Sequence, residues 1–196
     1  MRCLRKGSGP CLAVSGDNGY HAIMDAKKCF AVCPSDTAVA LAALNARITI
    51  SGSGGERKLG VTDFFGALGN ALRPDEMIKE ITIPRLEGSR QTFIKFSLRN
   101  PVDFAVVSVA SVITVNERVC TDARIALGSV GPGPVRAKRA EESLNGRPIT
   151  RDAAEEAAEN ALAGAKSLSK NAYKVEIAKT LVKRAVLVIM VPGPDN

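Results

Sequence analysis

The chain of 196 residues carries 27 Lys and Arg against 20 Asp and Glu, a formal charge of +7, and 45% of its residues are hydrophobic. That composition excludes a disordered tail and supplies enough apolar surface for one large or two small domains. The basic residues are scattered and stacking aromatics are scarce, with no Trp, two Tyr and six Phe, so a solvated basic surface or an acidic partner subunit is expected rather than nucleic acid.

The longest apolar run, Ala185 to Val191, is too short to cross a bilayer, and MRCLRKGSGPC has basic residues with no apolar stretch behind them. A soluble, unexported, cytoplasmic protein without a membrane span is the expectation. Five cysteines make an odd count for a disulfide framework, which favours reduced thiols or metal ligands.

From Met1 to about Ala31 the chain is rich in Gly, Cys and polar residues and reads as a long irregular segment. Pro34 and Ser35 introduce DTAVALAALNA, a short helix that Ser35 or Asp36 can cap. RITIS and ERKLGV flank the SGSGGE turn as a hairpin from Arg47 to Val61, and MIKEITIP is a further strand ending at Pro84. RLEGSRQ is the best internal boundary. Beyond it TFIKFSLR alternates, placing Ile94, Phe96 and Leu98 on one face and Phe93, Lys95, Ser97 and Arg99 on the other. FAVVSVASVITV and VCTDARIALGSV, joined by NER, complete a three-stranded antiparallel meander. Helices are expected around Arg136 to Leu144, through DAAEEAAENALAGA, and from about Ala172 to Val188, the last with Tyr173, Ile177, Leu181, Ala185 and Val188 as its buried stripe.

Common enzyme motifs are missing: no Walker loop, GxSxG, HExxH, CxxC, or GxGxxG opening a helix. His21, the single histidine, reads as a packed residue, and SGSGGE, which precedes a strand, reads as a hairpin turn rather than an anion site. Cys3, Cys11 and Cys29, with seven and then seventeen residues between them, have irregular spacing compatible with an iron–sulfur cluster. Cys120, within a strand pattern, reads as an inert core thiol.

The colinear set CLAVSGDNGYHAI, CFAVCPSDTAVALAALNA, the Phe pair after Asp63, LRPDEMIKEITIP, FIKFSLRNPVDFAVVSVA, ARIALGSVGPGPVRAKRAEESLNG and NAYKVEIAKTLVKRA resembles the flavin-binding (medium) subunit of the xanthine dehydrogenase family of molybdenum hydroxylases. It is most similar to those of bacterial aldehyde dehydrogenases and 4-hydroxybenzoyl-CoA reductase, which carry an added cysteine-bearing loop. The resemblance runs from Cys3 to Ala185. It implies an α+β fold: residues 1–85 as the C-terminal part of a PCMH-type FAD-binding domain, and residues 86–196 as a three-stranded antiparallel sheet with a helical layer, like the C-terminal domain of CO dehydrogenase flavoprotein.

The implied function is electron transfer through FAD, with a molybdopterin-binding large subunit and a [2Fe–2S] small subunit as partners. Ser35 and Asp36 match the family's Ser-Asp pair at the flavin nucleotide, Leu72 an apolar residue beside the ring, and Lys95 a lysine near the isoalloxazine, where a cation would stabilise the reduced ring. For these positions helix capping and a solvated strand face are the plain alternatives. Cys3, Cys11 and Cys29 correspond to three of four ligands of the extra [4Fe–4S] loop, with Cys33 a substitute fourth ligand or a residue of the FAD cleft. The family's first FAD subdomain, with its glycine-rich diphosphate loop, has no counterpart here, and the tail VIMVPGPDN departs from the family pattern. The chain is therefore expected to be an incomplete electron-transfer component, inactive alone unless a separate N-terminal FAD subdomain joins it. The alternatives are a non-catalytic remnant or subunit-assembly module, and a stand-alone redox or metal-binding protein.

Overall fold

The computed structural model describes residues 3–67, 69–100 and 102–190; the last six residues of the divergent tail lie outside them. The N-terminal segment is irregular apart from two 3₁₀ turns, Leu4–Lys6 and Leu12–Val14. Helix α1, Asp36–Ala43, starts where expected because Ser35 Oγ accepts the Ala38 amide at 3.1 Å, satisfying a first-turn donor. Strands β1 (Arg47–Gly52) and β2 (Gly55–Gly60) form the hairpin, and Gly55 at φ 102° closes its turn. A short helix α2 (Val61–Phe64) and the two-residue strands β3 (Phe65–Gly66) and β4 (Gly69–Asn70) lead to β5 (Met77–Thr82). β5 pairs antiparallel with β1, giving the order β2-β1-β5.

The second sheet has the order β6-β7-β8-β9, from β6 (Ser89–Phe96), β7 (Val107–Asn116), β8 (Val119–Gly128) and β9 (Val135–Arg136), all antiparallel. The three long strands are the expected meander; the two-residue β9 is an addition at its edge. β6 begins inside the polar stretch read as a boundary, because Ser89 to Gln91 pair with Thr114 to Val112. Backbone pairing beside a long central strand needs no apolar side-chain pattern at its end.

Strand β7 is covered on both faces. Val107, Val109 and Ile113 face a core shared with α3 (Lys138–Leu144), α4 (Arg151–Leu162) and α5 (Tyr173–Leu187), whereas Ala110 and Val112 join α1, β1 and α2 in a second core. α1 rests close against this second face: a Cβ at Gly128 would stand 2.4 Å from Val39 Cγ2 and 2.3 Å from Ser108 Oγ. On α4 the buried stripe is made of Ala153, Ala154, Ala157, Ala158 and Ala161, small enough for α3 and α5 to approach, with Leu162 at its end.

The stripe expected on α5 is corrected. Leu181 and Ala185 are buried, but Tyr173 and Val188 are each 42% exposed, and the inward face is Lys174, Ala178, Leu181, Val182, Ala185 and Val186. Four-residue steps overshoot each turn by about 40°, so such a row spirals off the packed face while alternating three- and four-residue steps stay on it.

Candidate functional site

The alternation of β6 puts Lys95 on the face that α1 covers, and α1 begins one residue after its Ser35 cap, at Asp36. The two side chains meet: Lys95 Nζ donates to Asp36 Oδ2 at 2.7 Å across 59 positions of sequence. Asp36 Oδ1 is shielded from solvent and has no hydrogen-bond partner among the described residues. Three of the four sequence-derived flavin positions, Ser35, Asp36 and Lys95, thus share one corner of the fold.

Leu72, the fourth, lies half-buried against the α1 core, in the loop between β4 and β5. That loop is fastened by a residue pair the sequence did not advertise. Glu76 accepts Arg57 Nε and Nη2, each at 2.8 Å, and the Arg73 amide at 2.7 Å. Arg57, first through this hydrogen bonding, holds the Glu76 carboxyl at about 2, well below the usual carboxylate range.

Two cavities flank the irregular stretch that leads into α1, both lined by Val32 and Pro34. The smaller, about 260 Å³, is bounded by Arg5, Cys33, Phe65, Gly69 and Asn70. The larger, about 550 Å³, is bounded by Tyr20, Leu98, Arg99, Phe104 and Val106, with Arg99 held bidentate by Asp103 at 2.8 and 3.1 Å. Its walls are mostly apolar with few polar groups, the general character of a small-molecule site. Tyr20 and Phe104 were missed in the sequence, where isolated aromatics in loops carry no periodic signal.

All five cysteines are free. Cys29 is buried, Cys3 and Cys11 are half-buried, and among the described residues no group of three or more His, Cys, Asp or Glu is arranged to hold a metal ion. The structure does not bring Cys3, Cys11 and Cys29 together as a ligand set. Cys33 lines the smaller cavity, its amide donating to Gly131 O. Cys120 is fully buried, and desolvation pushes its thiol up to about 11. His21 contributes through its backbone carbonyl, which accepts from Asn171 and Lys174.

Residues 23–86 match the FAD binding domain in molybdopterin dehydrogenase, and residues 92–189 match the CO dehydrogenase flavoprotein C-terminal domain. The chain belongs to the FAD-binding medium subunits of the molybdenum hydroxylase family. It is 32% identical over 181 residues to PaoB, the FAD-binding subunit of an Escherichia coli aldehyde oxidoreductase, covering 88% of this chain and 54% of that one. It is 30% identical to the glyceraldehyde dehydrogenase medium chain of Sulfolobus acidocaldarius, covering 77% and 55%. The fold matches a chain of quinoline 2-oxidoreductase from Pseudomonas putida with a TM-score of 0.72 at 26% identity, covering 87% of this chain and 58% of that one. It matches a chain of the Hydrogenophaga pseudoflava carbon monoxide dehydrogenase with a TM-score of 0.73 at 26% identity, covering 88% and 58%. The chain spans about half the length of the curated relatives it matches.

FAD is the cofactor of this family. The chemistry of the residues present is compatible with a flavin: a cation paired with a carboxylate whose second oxygen has no donor among the described residues, and an apolar cavity lined from Pro34, two positions before Asp36. Among the described residues no helix is long and apolar enough to cross a membrane.

Proposed function

We propose that this chain is the flavin-bearing electron-transfer component of a molybdopterin-dependent oxidoreductase of the aldehyde or xanthine dehydrogenase type, working in the cytoplasm. In this reading a molybdopterin-binding large subunit and a [2Fe–2S] small subunit are its partners. Residues 1–85 form its FAD-binding unit and residues 86–196 its C-terminal unit. The two family matches, separated at residues 87–91, support that division.

Bound FAD would supply the ability to trade single electrons on one side for electron pairs on the other. The chain's own residues do the rest. Lys95 places a positive charge at the ring corner, and Asp36 fixes that charge in direction while offering Oδ1 to a donor on the ligand. Ser35 holds the first turn of α1, and so the Asp36 backbone, by its cap. Leu72, in the loop pinned by Arg57 and Glu76, contributes an apolar surface. Cys3, Cys11 and Cys29 stay the candidate ligands of the family's extra [4Fe–4S] loop, although among the described residues they are not gathered as a metal site.

The observation that carries the proposal is the 2.7 Å meeting of Lys95 and Asp36 Oδ2, with Asp36 Oδ1 shielded from solvent and without a hydrogen-bond partner among the described residues. FAD is titrated into the chain alone, and into the chain supplied with the portion of a relative that it does not span, with flavin absorbance and fluorescence followed. Weak or no binding by the chain alone and a flavin-containing complex with the added portion are expected. A complex that takes up FAD equally well with Asp36→Ala and Lys95→Met would overturn the assignment of these residues.

A further inference from the structure

At the start of α5 three side chains turn toward one short stretch of the N-terminal segment. Tyr173 Oη donates to Gly19 O at 3.0 Å, and Lys174 Nζ to Tyr20 O at 3.2 Å and His21 O at 3.1 Å. Asn171 Nδ2 donates to His21 O at 3.1 Å and Ala22 O at 3.4 Å. Four consecutive carbonyls, from Gly19 to Ala22, are thereby drawn toward α5. The donors are themselves fixed. Lys174 is 1% exposed and makes a third bond, to Ser129 O at 2.6 Å, while Asn171 is fully buried and accepts the Leu168 amide at 2.6 Å.

A buried ammonium whose three acceptors are all neutral carbonyls is a costly way to fill volume, since an apolar side chain would avoid the desolvation. What it provides is direction. With its own carbonyl and those of both neighbours held, the Tyr20 backbone cannot turn, so its ring is left only side-chain freedom. That ring lines the 550 Å³ cavity together with Leu98 and Phe104, one residue stretch away from Ser35 and Asp36 through Val32 and Pro34. Tyr20 is 59% exposed, and with its backbone already fixed only its side-chain freedom is lost when a ring stacks on it.

We propose that Asn171, Tyr173 and Lys174 are positioning residues that hold Tyr20 as an aromatic wall of this cavity, against which a planar ring stacks. The identity of that ring as the flavin rests on the function proposed above, whereas the positioning itself does not.

The chain has two tyrosines and no tryptophan, so the full chain labelled with 3-fluorotyrosine gives two ¹⁹F lines, and Tyr20→Phe assigns them. Without ligand, Lys174→Met is expected to move the Tyr20 line by more than its width toward the denatured value, and Lys174→Arg, which keeps the donors, to restore it. A Tyr20 line left in place by Lys174→Met overturns the proposal. Should that variant not fold, Tyr173→Phe, which removes one hydroxyl from a side chain 42% exposed, decides in the same way. FAD alone is then added to the wild-type chain completed as above. A shift of the Tyr20 line with flavin binding supports the wall. Flavin binding that leaves the line unmoved overturns the stacking role while leaving the flavin function intact.

Discussion

Lys95 on β6 and Asp36 at the start of α1 form an ion pair in which only one carboxylate oxygen is used. The side chains are 29% and 40% exposed, so solvent screens the pair and its worth to folding is about 1 kcal/mol or less. Lys95→Met should therefore shift the urea midpoint only slightly. In the flavin-containing complex the same substitution should lower the flavin reduction potential, because the charge that stabilises the reduced ring is gone. A potentiometric titration checks this, and an unchanged potential would assign Lys95 to the solvated strand face.

Glu76 gives the fold an acid-sensitive point. Its carboxyl titrates at about 2 in the folded chain against 4.5 ordinarily, because Arg57 and the Arg73 amide favour the charged form. A depressed carboxyl contributes stability that is fully present above pH 4.5 and disappears as pH falls toward 2. Urea unfolding of wild type and Glu76→Gln at successive pH values should show their difference shrinking through that window. The loop carrying Leu72 should loosen first, seen as faster amide exchange at residues 69–76.

Lys174 works in the opposite direction on the pH axis. Desolvation lowers it from 10.5 to about 8, so between those values the unfolded chain binds more protons than the folded one. Stability should therefore rise from pH 8 to about 10.5 by an amount on the order of a few kcal/mol from this group, and stay at its lower level below pH 8. Lys174→Met should remove that rise. Chemical unfolding across the interval, corrected with the variant, measures it.

What the sequence made legible was local or periodic. The Ser35 cap acts three residues away, the Arg47–Val61 hairpin is closed by its own glycines, and the β6–β8 alternation repeats every second residue. On α5 a row of four-residue steps drifted off the packed face, and Lys174, which carries no apolar signal, occupies an inward position where carbonyls distant in sequence surround its head group. The Arg57–Glu76 clasp and the Tyr20–Phe104 cavity likewise depend on contacts between segments that no single-sequence pattern ties together. Lys95 and Asp36 could be named from resemblance, but their direct pairing could not.

The cysteines should separate by reactivity. Cys3, Cys11 and Cys33 are half-buried, Cys29 is buried, and Cys120 is fully buried with its thiol raised to about 11. Since only thiolate attacks, iodoacetamide at pH 8 should modify the first three within minutes and Cys120 only on unfolding. Mass spectrometry of the quenched protein gives the order, and early modification of Cys120 would contradict its place between β8 and the helical layer.

The contact of α1 with the second sheet offers the sharpest steric test. Gly128 pairs with Ser108 at the end of β8, directly under Val39 of α1, and nothing larger fits: an added Cβ would stand 2.3 Å from Ser108 Oγ and 2.4 Å from Val39 Cγ2. The serine hydroxyl can rotate away, but Val39 is 1% exposed and its branched side chain has few alternative rotamers. Relief requires α1 to lift from the sheet, which moves Asp36 relative to Lys95. Gly128→Ala should thus cost about 1–3 kcal/mol, as overpacking of a filled core does. The paired change Gly128→Ala with Val39→Ala should recover part of that stability, since it removes the atom in conflict. If the single variant is as stable as wild type by urea unfolding, α1 does not rest on this face as closely as the structure places it.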